Sequence, residues 1–138
     1  MALPRFPAAF LEFVDRFNRG EFWESHEVLE APWREGRSDF YKGMILFASA
    51  LVHAQRGNPR GVRAQFRKAE RHLEPFRPAY LGLDVDALLT HARRCRAVVE
   101  APAGREPAAG WAGRLPPIRL APDAALLRGD EPELADLR

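Results

Sequence analysis

Apolar positions recur every three or four residues from Phe10 to Val99, and no long window alternates with a period of two. That spacing predicts helices and no strands. Phe10, Val14 and Phe17 share one face of a first helix, and Asn18-Arg19-Gly20 marks its stop. A second helix is predicted from Glu21 to Glu30, ended by Pro32, because the residue before a proline is steered away from the α region. Ser38 is the expected N-cap of a third helix that runs to Arg56. That helix is apolar almost all round, the mark of a central, buried element, and its small residues Gly43, Ala48, Ser49 and Ala50 allow close backbone approach. Gly57 then suits a left-handed helix end, Asn58 a cap and Pro59 the first position of a fourth helix, with Val62, Phe66, Ala69 and Leu73 on one face. A fifth helix starts near Asp84 and turns Val85, Leu88, Ala92, Cys95 and Val99 inward.

The expected architecture is therefore all-α: a compact bundle of about five helices over residues 1–100, followed by a Pro/Gly-rich extended tail over 101–138. Trp111, Leu115, Ile118 and Leu120 are many large apolar residues for a free linker, so the tail is expected to dock in part, with its last dozen residues frayed. The segment from Ala48 to Phe76 is similar to one tetratricopeptide hairpin, but such an array needs about three copies at a period of roughly 34 residues. One unit is present, so a solenoid is set aside.

Composition narrows the class without naming a reaction. The chain has 138 residues, 46% hydrophobic and 29% charged, which suits one globular domain. No apolar run is long enough for a membrane span. The opening Met1–Phe10 is broken by two prolines and does not read as a signal peptide. The single cysteine, Cys95, excludes an intramolecular disulfide framework and a Cys-rich zinc site, and is expected in the core. A cytoplasmic location is expected. The net charge of +2 hides a split: 16 basic against 12 acidic residues through residue 99, then 5 against 7. Arginine almost replaces lysine, which fits a high-GC genome and, more loosely, a thermophile.

Candidate chemistry concentrates between Glu21 and Trp33, where four glutamates, one histidine and two tryptophans fall together. On a helix His26, Glu27 and Glu30 form a compact triangle bordered by Phe22 and Trp23. A carboxylate beside an imidazole orients it, so these three are the candidate acid–base residues. His26 and Glu30, with His53 from the third helix, are the weaker metal candidates. The order His-x-x-x-Glu occurs once and matches neither the paired Glu-x-x-His of di-iron bundles nor the His-Glu-x-x-His of zincins. The leading expectation is structural: His26 satisfied by Glu30, fixing the angle between the second and third helices. His53 is read as a bundle histidine, and His72 and His91 as exposed. Arg56, Arg60, Arg63, Arg67 and Arg71 form a basic row at helical spacing, interrupted by Glu70 and Glu74, without stacking aromatics. It is read as a solvated face before a nucleic-acid or acidic-partner surface.

Taken in order, Phe17, Gly20, Phe22, Trp23, His26, Glu27, Glu30, Trp33, Gly43, His53, Gly57, Asn58 and Gly61 resemble the pattern of the family called domain of unknown function 309. The resemblance covers roughly residues 10–90. It implies a small all-helical protein of a largely bacterial and archaeal family without an assigned activity, so it supports the fold and the candidate site and supplies no reaction. Where that family often has Gln shortly after the glycine of the third helix, this chain has Leu46, which makes any pocket there less polar. The function expected from the sequence is a helical binding or protein-interaction module. The alternatives are a hydrolase-type enzyme or metalloprotein using the His/Glu cluster, and weak nucleic-acid binding through the arginine row. No cofactor is predicted; a protein or a small molecule is the expected partner.

Overall fold

A computed structural model describes residues 6–101 and 114–135. Five helices carry the fold: α1 (Ala8–Asn18), α2 (Phe22–Gly36), α3 (Asp39–Gln55), α4 (Pro59–Leu73) and α5 (Val85–Glu100). The all-α expectation holds, with one addition. Ala79–Tyr80 (β1) and Leu83–Asp84 (β2) pair antiparallel around Leu81 and Gly82, both at positive φ. A two-residue pair is too short to show as alternation, and the Arg77–Pro78 bond before it is cis.

The caps form where the side chains allow. Ser38 accepts from the Tyr41 amide, Asn58 from Gly61 and Asp84 from Ala87. Gly20 and Gly57 sit at φ +79° and +68°, where the chain must reverse between helices. The end of α2 corrects the expectation: Pro32 lies inside the helix, which continues to Gly36 and closes on Arg37 at φ 53°. Trp33 gives the extra turn an anchor, for the cations of Arg37 and Lys42 lie 4.9 and 4.4 Å from its ring centre.

Helix α3 is the centre. Twelve of its seventeen residues are buried, and it packs on α2 and α4. Phe47, fully buried, meets Phe17 of α1, Phe66 of α4 and His91 of α5. His91 corrects a second expectation. It is 7% exposed, not solvent-facing, because it lies on the same face as Leu88 and Cys95, and its Nε2 is 3.3 Å from the Cys95 sulfur. His72 is also half-buried rather than exposed, its Cβ beside Gly43. Burial and the nearby Arg94 charge lower the His91 pKa from its ordinary 6.5. A base whose folded pKa is lowered binds fewer protons folded than unfolded, so its contribution is complete above 6.5 and is lost as pH falls below it. His91→Phe, which keeps the aromatic contacts, is therefore expected to flatten the acid-side fall in stability, read from denaturant midpoints between about pH 7 and pH 5.

Beyond Glu100 the chain returns to the bundle. Asn18 exchanges two hydrogen bonds of 2.8 Å with the Leu120 backbone, and Leu115 and Leu120 are buried. Trp111, expected to help, lies outside the described residues. The last dozen residues do not fray throughout: Glu131 and Glu133 are 3% and 9% exposed. The Glu131 carboxylate accepts from the amides of Leu81, Arg128 and Gly129, and these bonds hold its pKa below the ordinary 4.5 against the cost of its burial. The Arg128 guanidinium donates to the carbonyls of Phe76, Arg77 and Ala79.

Candidate functional site

Helix α2 brings His26 and Glu30 together as its spacing requires. His26 Nε2 is 3.3 Å from Glu30 Oε1, with the two side chains 13% and 36% exposed. The other ring nitrogen, Nδ1, lies 2.6 Å from the Trp23 carbonyl oxygen. That oxygen only accepts, so Nδ1 donates. Nδ1 is thus committed within the helix, whereas Nε2 bonds Glu30 only when it carries a proton, because the carboxylate accepts and does not donate. Glu30 also pairs with Arg34 at 3.4 Å. Glu27, the third member of the expected triangle, is exposed.

Trp23 stacks obliquely on His26, ring centres 4.6 Å apart, and the Arg56 guanidinium sits 5.3 Å from its ring centre. Trp23 nevertheless stays 46% exposed. Arg56 just past α3 thereby meets the α2 cluster, and Gln55 ties the same corner by donating to the Gly20 carbonyl at 2.8 Å. Sequence spacing missed this, because Arg56 had been assigned to the basic row of α4 and not to the aromatic.

His53 belongs to the α3–α4 turn. The Asn58 amide donates to its Nδ1 at 3.0 Å while the Asn58 carbonyl caps Gly61. Burial, and then the Arg56 charge, lower the His53 pKa. A methyl group at Gly61 would overlap the imidazole, which explains the glycine in physical terms: the ring lies flat on the first turn of α4. His26, Glu30 and His53 are the residues that could have held a metal; among the described residues no three His, Cys, Asp or Glu side chains converge as a ligand set. Phe22 packs against the core, and Gly43 lies where α3 and α4 cross, beside Leu73.

The arginine row differs from its expected wiring. Glu70 turns to α5, accepting from Arg96 at 2.6 and 3.1 Å and pairing with Arg93 at 3.5 Å, and Glu74 pairs with Arg77 and Arg93. Arg67 finds Glu100 at 3.4 Å. Arg60, Arg63 and Arg71 have no carboxylate partner among the described residues.

With these positions in place the comparisons can be read. A family model described as a domain of unknown function, DUF309, matches residues 10–65. Residues 10–65 are thus similar to that family. The match takes in α1, α2, α3 and the start of α4, and therefore the whole Trp23–His26–Glu30 cluster with Arg56, His53 and Gly61. An uncharacterised protein of Bacillus subtilis (strain 168), YpuF, is 32% identical over 91 residues, which is 61% of this chain and 52% of the relative. The chain thus spans about half the length of that curated relative. No solved structure matches it. DUF309 carries a fold pattern and no reaction, so function has to be argued from the site.

The surface location of the pair sets its energetic weight. With Glu30 more than a third exposed, the His26–Glu30 contact resembles other exposed i,i+4 pairs, and Glu30→Ala is expected to cost no more than about 1 kcal/mol in chemical denaturation.

Proposed function

We propose that this chain is a binding module that presents Trp23 and Arg56 to a protein partner, with His26 and Glu30 setting the angle of the indole. The observation that carries this reading is the exposure of Trp23: a tryptophan 46% open to solvent, yet in contact with both His26 and Arg56. A rigid aromatic beside an arginine is the composition from which interface hot spots are built. In a catalytic reading Nε2, 3.3 Å from Glu30, would be the working nitrogen, since Nδ1 is held by the Trp23 carbonyl. The family match ends at residue 65 and still includes each of these residues.

A photo-crosslinking residue at exposed position 24 tests this in living cells, followed by reconstitution with the captured protein once purified. One dominant partner is expected, whose affinity falls about tenfold or more in Trp23→Ala at an unchanged melting temperature. Crosslinks spread over unrelated proteins would contradict it. So would a stoichiometric metal in protein purified without chelator, or a hydrolytic activity lost in His26→Ala.

The unpaired arginines support a second, weaker reading. Because Glu70 and Glu74 face α5, Arg60, Arg63 and Arg71 present uncompensated charge on α4. Apart from Trp23 beside Arg56, no aromatic lies against the row among the described residues, so salt-sensitive association with polyanions is expected without sequence preference. Binding to labelled nucleic acid at about 150 mM salt should be weak; sub-micromolar affinity there, lost in the Arg63→Ala, Arg67→Ala double variant, would make this surface the principal one.

A further inference from the structure

A cleft of about 430 Å³ opens at the C-terminal end of α2, between the α2–α3 junction, the turn after α4 and the returning tail. Its size falls in the range of small-molecule sites. Tyr41, Phe76 and Tyr80 supply its aromatic wall, and Glu35, Asp39 and Glu133 its charge. No arginine or lysine lines it among the described residues, although the Arg128 guanidinium lies 5.5 Å from the Tyr80 ring centre.

One side chain there is incompletely served. Glu133 is 9% exposed, and its Oε1 accepts from the Tyr80 hydroxyl at 2.7 Å. Its Oε2 is buried and has no hydrogen-bond partner. Leaving a carboxylate oxygen buried and unpaired is costly, and native structures rarely do so without a reason. The adjoining Glu131 makes the contrast, with three backbone donors aimed at it. The tail therefore had donors to give, and gave none to Glu133 Oε2. Burial moves the Glu133 pKa upward, the direction expected of a carboxyl whose counter-charge is missing.

The geometry points to a binding site for a small organic cation, an ammonium or guanidinium group on an apolar body, seated between the aromatic wall and Glu133. A turn of the Glu133 side chain would bring the orphan oxygen to the cation, whose positive charge would also be met by Glu35 and Asp39 at the mouth. The aromatic faces favour a cation over a neutral group of the same shape, and the apolar body fills the rest of the cleft. The site depends on the tail: Pro132 and Glu133 form one wall, and Glu131 and Arg128 clamp that wall to β1 and β2. It uses none of the residues of the Trp23 surface, so either reading can fail without the other.

Calorimetric and NMR titration of the full chain with phenethylamine, with phenethyl alcohol and with phenylacetate tests the proposal. Saturable binding is expected for the amine, with shifts at Tyr80 and Phe76, and none for the anion. Glu133→Gln keeps the shape and an acceptor for Tyr80, and should weaken the amine about tenfold or more. Should that variant loosen the tail, the Glu35→Gln, Asp39→Asn double variant carries the test, because both side chains are exposed and lie at the mouth: amine affinity should fall while the melting temperature holds. Equal affinity for amine and alcohol, amine binding indifferent to both variants, or no amine binding at millimolar concentration would overturn it.

Discussion

Phe47→Ala is expected to lower the unfolding free energy by about 3–5 kcal/mol, the largest effect of any single truncation considered for this bundle. Phe47 has no exposed surface, and its ring is where four helices meet: Phe17 at 6.1 Å, Phe66 at 5.1 Å edge-on and His91 at 5.9 Å. Removing it opens a void that no single neighbour can fill, since each contact comes from a different helix. It also hydrates His91, whose pKa burial now holds down. Urea denaturation monitored by the tryptophans and by helical circular dichroism would measure the loss. A loss under about 1 kcal/mol would mean that the core closes around the gap.

The second large effect comes from adding atoms. Gly43 lies where α3 crosses α4, and a Cβ built on it would stand 2.6 Å from Leu73 Cδ2, 2.8 Å from Leu73 Cγ and 3.3 Å from His72 Cβ. Leu73 is itself 1% exposed and has nowhere to retreat. Gly43→Leu should therefore push the helices apart and cost about 1–3 kcal/mol or more. The gain in helix propensity from replacing glycine, roughly 1 kcal/mol, works against that loss, and Gly43→Ala divides the two terms. A clash-dominated site destabilises with Ala and worsens with Leu. An unchanged melting temperature for both would place Gly43 away from the crossing.

Much of this was legible in the chain, and the limits have physical causes. Periodicity located all five helices because each buries one face, and the caps at Ser38, Asn58 and Asp84 lay one residue before the helices they start. Pro32 misled: a proline usually stops a helix, but the lost amide is tolerated near the last turn, where Trp33 and its cations hold the chain. His91 misled because no partner pattern marked it, although i−3 and i+4 are Leu88 and Cys95. The His26–Glu30 contact was readable from spacing alone. Arg56 over Trp23 was not, since it depends on how α3 packs on α2. Least visible were Glu131 and Glu133. Their partners Leu81 and Tyr80 are 50 and 53 residues away, and a Pro/Gly-rich tail has no period to reveal them.

The account rests most directly on the commitment of His26 Nδ1, which fixes the ring beside Trp23. Long-range proton–nitrogen correlation spectra of the imidazoles measure where the protons sit. The structure predicts a proton on His26 Nδ1, donated to the Trp23 carbonyl and protected from exchange with water, and still present in Glu30→Ala. A His26 ring whose Nδ1 is unprotonated and open to solvent would contradict it, because the bond to the Trp23 carbonyl that fixes the ring would then be absent.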